Sequence, residues 1–159
     1  MNAAKSPADS RIRTSFVVMP EETNTHGNLF GGALVAHIDR TAAMSAITHC
    51  RTATVTASID RLDFLAPARE GHFIHLDSRV TFVARTSMEL LVEVDAEHPL
   101  TGERWGICKA LLTFVAVDEN CRPTPVPPLK VETGEEKQNQ QEGQARYEAR
   151  RQARKSDAP

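Results

Sequence analysis

Between residues 29 and 47 the chain reads LFGGALVAHIDRTAAMSAI, the one stretch where apolar residues recur at helical spacing. Downstream the period changes to two. Val55, Ala57 and Ile59 share one face, the phase slips at Asp60–Arg61, and Leu62 and Phe64 resume. Ile74, Leu76, Val80 and Phe82 then alternate with His75, Asp77, Arg79 and Thr81, and Met88, Leu90, Val92 and Val94 with Glu89, Glu93 and Asp95. This change of period constrains the fold more than any other feature. Each alternating strand has one apolar side, and only one long helix is available to cover the sheet they make. The slip at Asp60–Arg61 predicts a β-bulge. The short connection VARTS, residues 83–87, predicts an antiparallel hairpin. A first strand at Arg13–Met19 and a last at Trp105–Val117, after the turn HPLTGE, complete the order strand, helix, four strands. The expected fold is α+β, an antiparallel sheet of about five strands wrapped around one long central helix.

Pro20 and the polar loop Glu21–Asn28 separate the first strand from the helix. Gly27 supplies a joint, and Asn28 is placed to cap a helix running to about His49. Asp39 is the anomaly. Its neighbours one turn away are Val35, Ala36, Ala42 and Ala43, which puts it near the middle of the apolar face. Burying a carboxylate there without partners is costly. A partner such as arginine or backbone donors could make it structural; alternatively, desolvation makes it a stronger base or nucleophile. The small side chains around it, Ala46 included, leave room for a slender ligand and favour the second reading. His37, Thr41, Ser45 and Thr48 form a separate polar flank.

Gly31 and Gly32 open the helix, where free N–H groups suit a developing oxyanion and glycine admits a close ligand. Close packing against the sheet is the plainer explanation of the pair. Asn24 can donate its amide hydrogens to a carbonyl or orient a water, or simply close an Asx turn. His26 reads as a turn residue. His49 and Cys50 diverge on the helix and make no dyad, and no serine sits in a nucleophile elbow.

Charge is nearly balanced, with 19 Lys and Arg against 21 Asp and Glu, so neither nucleic acid nor an anionic membrane is expected as partner. Three cysteines without a CxxC spacing disfavour a disulfide framework or zinc site and fit a reducing cytoplasm. The start MNAAKSPADS lacks the apolar core of a signal peptide, and His37, Asp39 and Arg40 interrupt the one apolar stretch. Residues 1–10 are expected to be a flexible N-terminus and 11–129 the compact domain, closed by the extended segment RPTPVPPL. Residues 130–159 read as a charged, partly helical tail in which acids lead and bases trail.

NTHGNLFGGALVAHID resembles the motif of the hotdog-fold acyl-CoA thioesterases, Asn-x-x-Gly-x-x-x-Gly-Gly with an Asp seven residues beyond the second Gly of the pair. Asn24, Gly27, Gly31, Gly32 and Asp39 match it position by position. The resemblance continues through TASIDRLDFLAPAREG, ARTSMELLVEV, PLTGER and FVAVDENCRPTPVPPL, covering residues 11–129. It implies a hotdog fold, hydrolysis of acyl-CoA to free acid and coenzyme A, and dimers assembled as a hexamer, a trimer of dimers. It also implies a site shared between subunits, with Asn24 of one facing Asp39 of the other. Asp39 would serve as general base or, second, as nucleophile; Asn24 and the Gly31–Gly32 helix start would stabilise the oxyanion. Arg85, Thr86 and Ser87 would contact coenzyme A, and no cofactor or metal is implied beyond the coenzyme A of the substrate. Two residues depart from the family pattern: Ala84 and Cys121 each stand where glycine is usual. Arg40 also replaces an acidic or small residue. Hydration of an enoyl thioester is disfavoured because no histidine follows Asp39 before His49. The alternative from another class is a non-catalytic acyl-CoA binding or sensing module.

Overall fold

The computed structural model describes residues 3–156. The alternating segments form one antiparallel sheet from β1 (Ile12–Val17), β2 (Ala53–Phe64), β3 (Phe73–Val83), β4 (Ser87–Glu97) and β5 (Arg104–Val117), in the order β1-β3-β4-β5-β2. Helix α1 (Gly31–Cys50) lies on one face. The inner rows follow from the register: Leu90 opposes Leu112, Val92 opposes Ala110 and Val94 opposes Cys108. With Ile74, Leu76 and Val80 they pack on Leu34, Ile38, Ala42 and Ala46 of α1. Each fully buried large aliphatic side chain in such a core contributes ~1.5–3 kcal/mol relative to exposure.

The bulge expected at Asp60–Arg61 is present as a register shift between Ile59 and Arg61. A second shift, between Thr56 and Ser58, was not signalled by the hydrophobic pattern. At the helix start the expectation fails. Asn28 does not cap α1; Phe30 is the N-cap and supplies no side-chain bond. Asn28 instead bridges to Arg69, because the loop turns once more before the helix begins.

The polar flank of α1 is sewn to β1 and the segment before it. Thr41 and Thr14 share a hydroxyl bond of 2.8 Å, Ser45 donates to the Ser10 carbonyl at 2.6 Å, and the His37 ring stacks on Phe16 with Nε2 2.7 Å from Glu22. Lys5 Nζ donates to the carbonyls of Thr48 and His49 at 3.0 and 2.7 Å. This places a cation on the otherwise open C-terminal end of the helix, where it is favoured.

A second helix, α2 (Gly134–Ser156), crosses the opposite face of the sheet. It is held less by apolar burial than by one close approach and one ion pair. A Cβ on Gly143 would lie 2.5 Å from Phe82 Cβ, so only glycine allows the helix this near. Arg146 meets the fully buried side chain of Glu89 through two hydrogen bonds, of 2.9 and 2.8 Å. No helix among the described residues is long and apolar enough to cross a membrane.

Candidate active site

The loop before α1 is built around Asn24. Its Oδ1 accepts the N–H groups of His26 and Asn28 at 2.9 and 3.2 Å, closing an Asx turn, and Gly27 takes the left-handed φ of 75° that the turn demands. The turn and the ligand readings of Asn24 are therefore compatible. The oxygen locks the loop, and the two amide hydrogens make no bond among the described residues. Asn24, Gly31, Phe64, Leu65 and Pro67 line an open depression of about 450 Å³. Both glycines also serve packing: a Cβ on Gly31 would lie 3.3 Å from the Phe64 ring, and one on Gly32 2.5 Å from that of Phe30. The uncapped start of α1 leaves its first N–H groups unused by any side chain among the described residues.

Asp39 is not in the core. It is half-buried, and its Oδ1 accepts a hydrogen bond of 2.8 Å from Thr56 Oγ1 on β2. The wheel misplaced it because α1 is apolar on two sides. Leu34, Ile38, Ala42 and Ala46 face the sheet, whereas Met44 and Ile47 remain exposed with Ile59, Phe64 and Leu65. Asp39 lies toward this second apolar surface, which the described residues do not cover. The adjoining strand β2 is a sheet edge, paired among the described residues only with β5. Thr56 escaped the sequence reading; nothing in the alternation distinguishes it from Thr54, and only the fold brings it to Asp39.

In one protomer the candidate residues fall into two groups. Gly31 and Asp39 are ~12 Å apart along the helix. Phe64 and Thr56 are ~25 Å apart along β2. The depression lined by Asn24 and Gly31 does not include Asp39. Arg85, Thr86 and Ser87 sit at the Thr56 end, because Ser87 pairs with Val115 and Thr56 with Phe114. Arg85 is exposed there. The turn is braced by the Arg85 and Thr86 carbonyls, which accept the N–H groups of Val126 and Ala116 at 3.0 Å each. Ala84 keeps ordinary backbone geometry, but Cys121 adopts a φ of 58°, the left-handed region that favours glycine. No group of three or more His, Cys, Asp or Glu suited to a metal occurs among the described residues.

A five-stranded sheet wrapped on one long helix, entered through an Asn-Gly loop and carrying an acid midway along it, defines a hotdog-fold thioesterase. Residues 26–103 match the thioesterase superfamily model. An uncharacterized acyl-CoA thioester hydrolase of Bacillus subtilis, YkhA, is 47% identical over 128 residues, covering 80% of this chain and 74% of that one. The rat cytosolic acyl coenzyme A thioester hydrolase is 36% identical over 133 residues, which are 82% of this chain but only 35% of the longer rat protein. Among solved structures, an apo-hexameric acyl-CoA thioesterase superposes with a TM-score of 0.90 at 41% identity, covering 96% of this chain and 97% of that one. A Staphylococcus aureus acyl-CoA hydrolase, solved with butyryl coenzyme A, coenzyme A and coenzyme A disulfide, superposes with a TM-score of 0.87 at 33% identity, covering 96% and 93%. That enzyme has also been solved with an asparagine, an aspartate and a threonine each replaced singly by alanine. The chain belongs to the acyl-CoA thioester hydrolases of the thioesterase superfamily.

Proposed function

We propose that the protein hydrolyses acyl-CoA thioesters at a site completed by two copies of the chain, with Asp39 as general base. The observation that carries this is the Asp39–Thr56 pair, a half-open carboxylate held at 2.8 Å on a helix face that the described residues leave uncovered. The replaced asparagine, aspartate and threonine of the Staphylococcus aureus hydrolase are separated by the same intervals as Asn24, Asp39 and Thr56. A second copy is called for by the free edge of β2 and its exposed Val55, Ile59 and Phe64. Antiparallel pairing of β2 with its copy about the middle of the strand brings the Phe64 end of one over the Thr56 end of the other. Asn24 and the Gly31–Gly32 N–H groups of one subunit then approach Asp39 of its mate. The hexameric relative makes a trimer of such dimers the natural assembly.

In this reading Asp39 accepts a proton from water as the water oxygen adds to the thioester carbonyl. The oxyanion is met by the Asn24 amide and by the open N–H groups at the start of α1. Collapse breaks the carbon–sulfur bond, the proton passes to the coenzyme A sulfur, and the free acid leaves. Arg85 receives a phosphate of the coenzyme, with Thr86 and Ser87 as hydrogen-bond donors. This chemistry asks for no metal or further cofactor. A cytoplasmic setting suits both the substrate and the unpaired Cys50, Cys108 and Cys121.

The test is coenzyme A release from acyl-CoAs of several chain lengths, for wild type, Asn24→Ala and Asp39→Ala. With assembly intact, Asp39→Ala should lower kcat by roughly 10²–10⁴-fold. A wild type that binds acyl-CoA tightly yet turns none over would make this a binding module.

A further inference from the structure

Two bulges bracket a short inverted stretch of β2. Before the first, Thr56 opposes Phe114, whose side chain is in the core, and Thr56 accordingly points toward α1. Plain alternation would put Ser58 on that same side. Instead Ser58 opposes Thr113 and Ile59 opposes Leu112, and the original phase returns only after the shift between Ile59 and Arg61. A bulge sacrifices ladder bonds, so an inverted segment needs something to hold it.

On the outer face that something is Asp60, whose side chain is 12% exposed. Its Oδ1 accepts Ser58 Oγ at 2.7 Å, its Oδ2 accepts Thr113 Oγ1 at 2.6 Å, and Arg150 of α2 stands 3.6 Å from Oδ2. The partners come from β2, β5 and α2, and bonds to an ionised acceptor are the strong kind. On the inner face, immediately before the first bulge, the Thr56 hydroxyl donates to Asp39.

We propose that Asp60 is a positioning residue for the hydrolysis, latched from α2 by Arg150. It fixes the inverted register of β2 and thereby keeps the Thr56 hydroxyl on Asp39. The inference rests on the reading of Asp39 as base. With Oδ1 committed to Thr56, Oδ2 is the oxygen turned to water, and the carboxylate is held in one orientation. Released from Asp60, the bulged segment loosens, and Thr56, which borders the first bulge, drifts from Asp39. The polar exterior of the sheet and the otherwise hydrophilic α2 thus act on the chemistry from the far side of the strand.

The experiment is a kinetic cycle of Asp60→Ala, Thr56→Val and the double variant, with Asp60→Asn, Arg150→Met and Asp39→Ala alongside. Thermal melting and assembly size are recorded for each. Asp60→Ala should lower kcat about tenfold and move KM less than about twofold, because the loss falls on orientation and not on coenzyme contacts. Asp60→Asn, able to keep both hydroxyl partners, should recover most of that loss. The double variant should be no slower than Thr56→Val alone. If the two losses multiply in the double variant, or if Asp60→Ala raises KM with kcat unchanged, the latch is overturned while the base role, read from Asp39→Ala, stands. If Asp39→Ala is fully active, it is the base reading that falls. Should Asp60→Ala fail to fold, Arg150→Met paired with Thr56→Val carries the same cycle.

Discussion

Replacing Arg146 by methionine tests what holds α2 to the sheet. The Glu89 side chain is fully shielded from solvent and takes Arg146 Nε at 2.9 Å and Nη2 at 2.8 Å; Thr81 Oγ1 adds a third bond at 3.0 Å. Methionine keeps much of the packing of the arginine stem and removes both charged donors. Breaking a buried pair from one side costs ~3–5 kcal/mol, since the remaining charge is left without its partner. Here the Arg146 side chain is 32% exposed, so water can enter the vacated space, and Thr81 still donates. Both effects lower the cost, to ~2–3 kcal/mol. For a domain of this size that is a fall of ~4–12 °C in Tm at fixed protein concentration. Adding Glu89→Gln removes the orphaned charge and should restore more than half of the loss. Circular dichroism melts of wild type, Arg146→Met and the double variant measure it. An Arg146→Met protein melting within about 2 °C of wild type would refute the reasoning. So would a double variant no more stable than the single.

Three further outcomes follow from particular residues. Cys121→Gly relieves the left-handed φ of 58° at an exposed turn and should stabilise by ~0.5–1 kcal/mol, the relief being partly offset by the greater freedom of unfolded glycine; denaturant titration reads the sign. Burial pushes the His49 imidazole below its usual pKa, reinforced by the Lys5 ammonium and only partly opposed by the Pro127 carbonyl. The unfolded chain then binds the proton more readily, so stability is complete above pH ~6.5 and declines as the pH falls below it. Melts from pH 7.5 to 5 should show a decline that His49→Gln lessens; an unchanged slope in the variant would remove His49 as its source. Val55→Asp puts a carboxylate on the apolar edge of β2, where Val55 is 50% exposed in the protomer, and should shift assembly toward the protomer with loss of turnover. Unaltered size by light scattering would place the subunit contact elsewhere.

Much of the architecture is legible along the chain. The change from helical to alternating period, the VARTS hairpin and the slip at Asp60–Arg61 each reflect local backbone geometry, which repeats every few residues and marks the sequence accordingly. The Asn24, Gly31, Gly32 and Asp39 spacing is legible for a related reason, since loop and helix start are contiguous. The misplacement of Asp39 shows the limit. A helical wheel records that α1 is apolar over more than the width of one face, but not which of its two apolar sides meets the chain's own sheet.

What tertiary structure alone decided are pairings between distant residues. Thr56 reaches Asp39, Thr113 reaches Asp60, and Arg146 finds Glu89, each across an interval that no period spans. Helix α2 makes the point most plainly. Its sequence carries almost no apolar stripe, so it reads as a solvated tail, yet Gly143 admits it onto Phe82 and a buried carboxylate anchors it. Periodicity reports how one element prefers to be half-buried. Which charge it will neutralise, and on which face, depends on where the sheet has already put that charge.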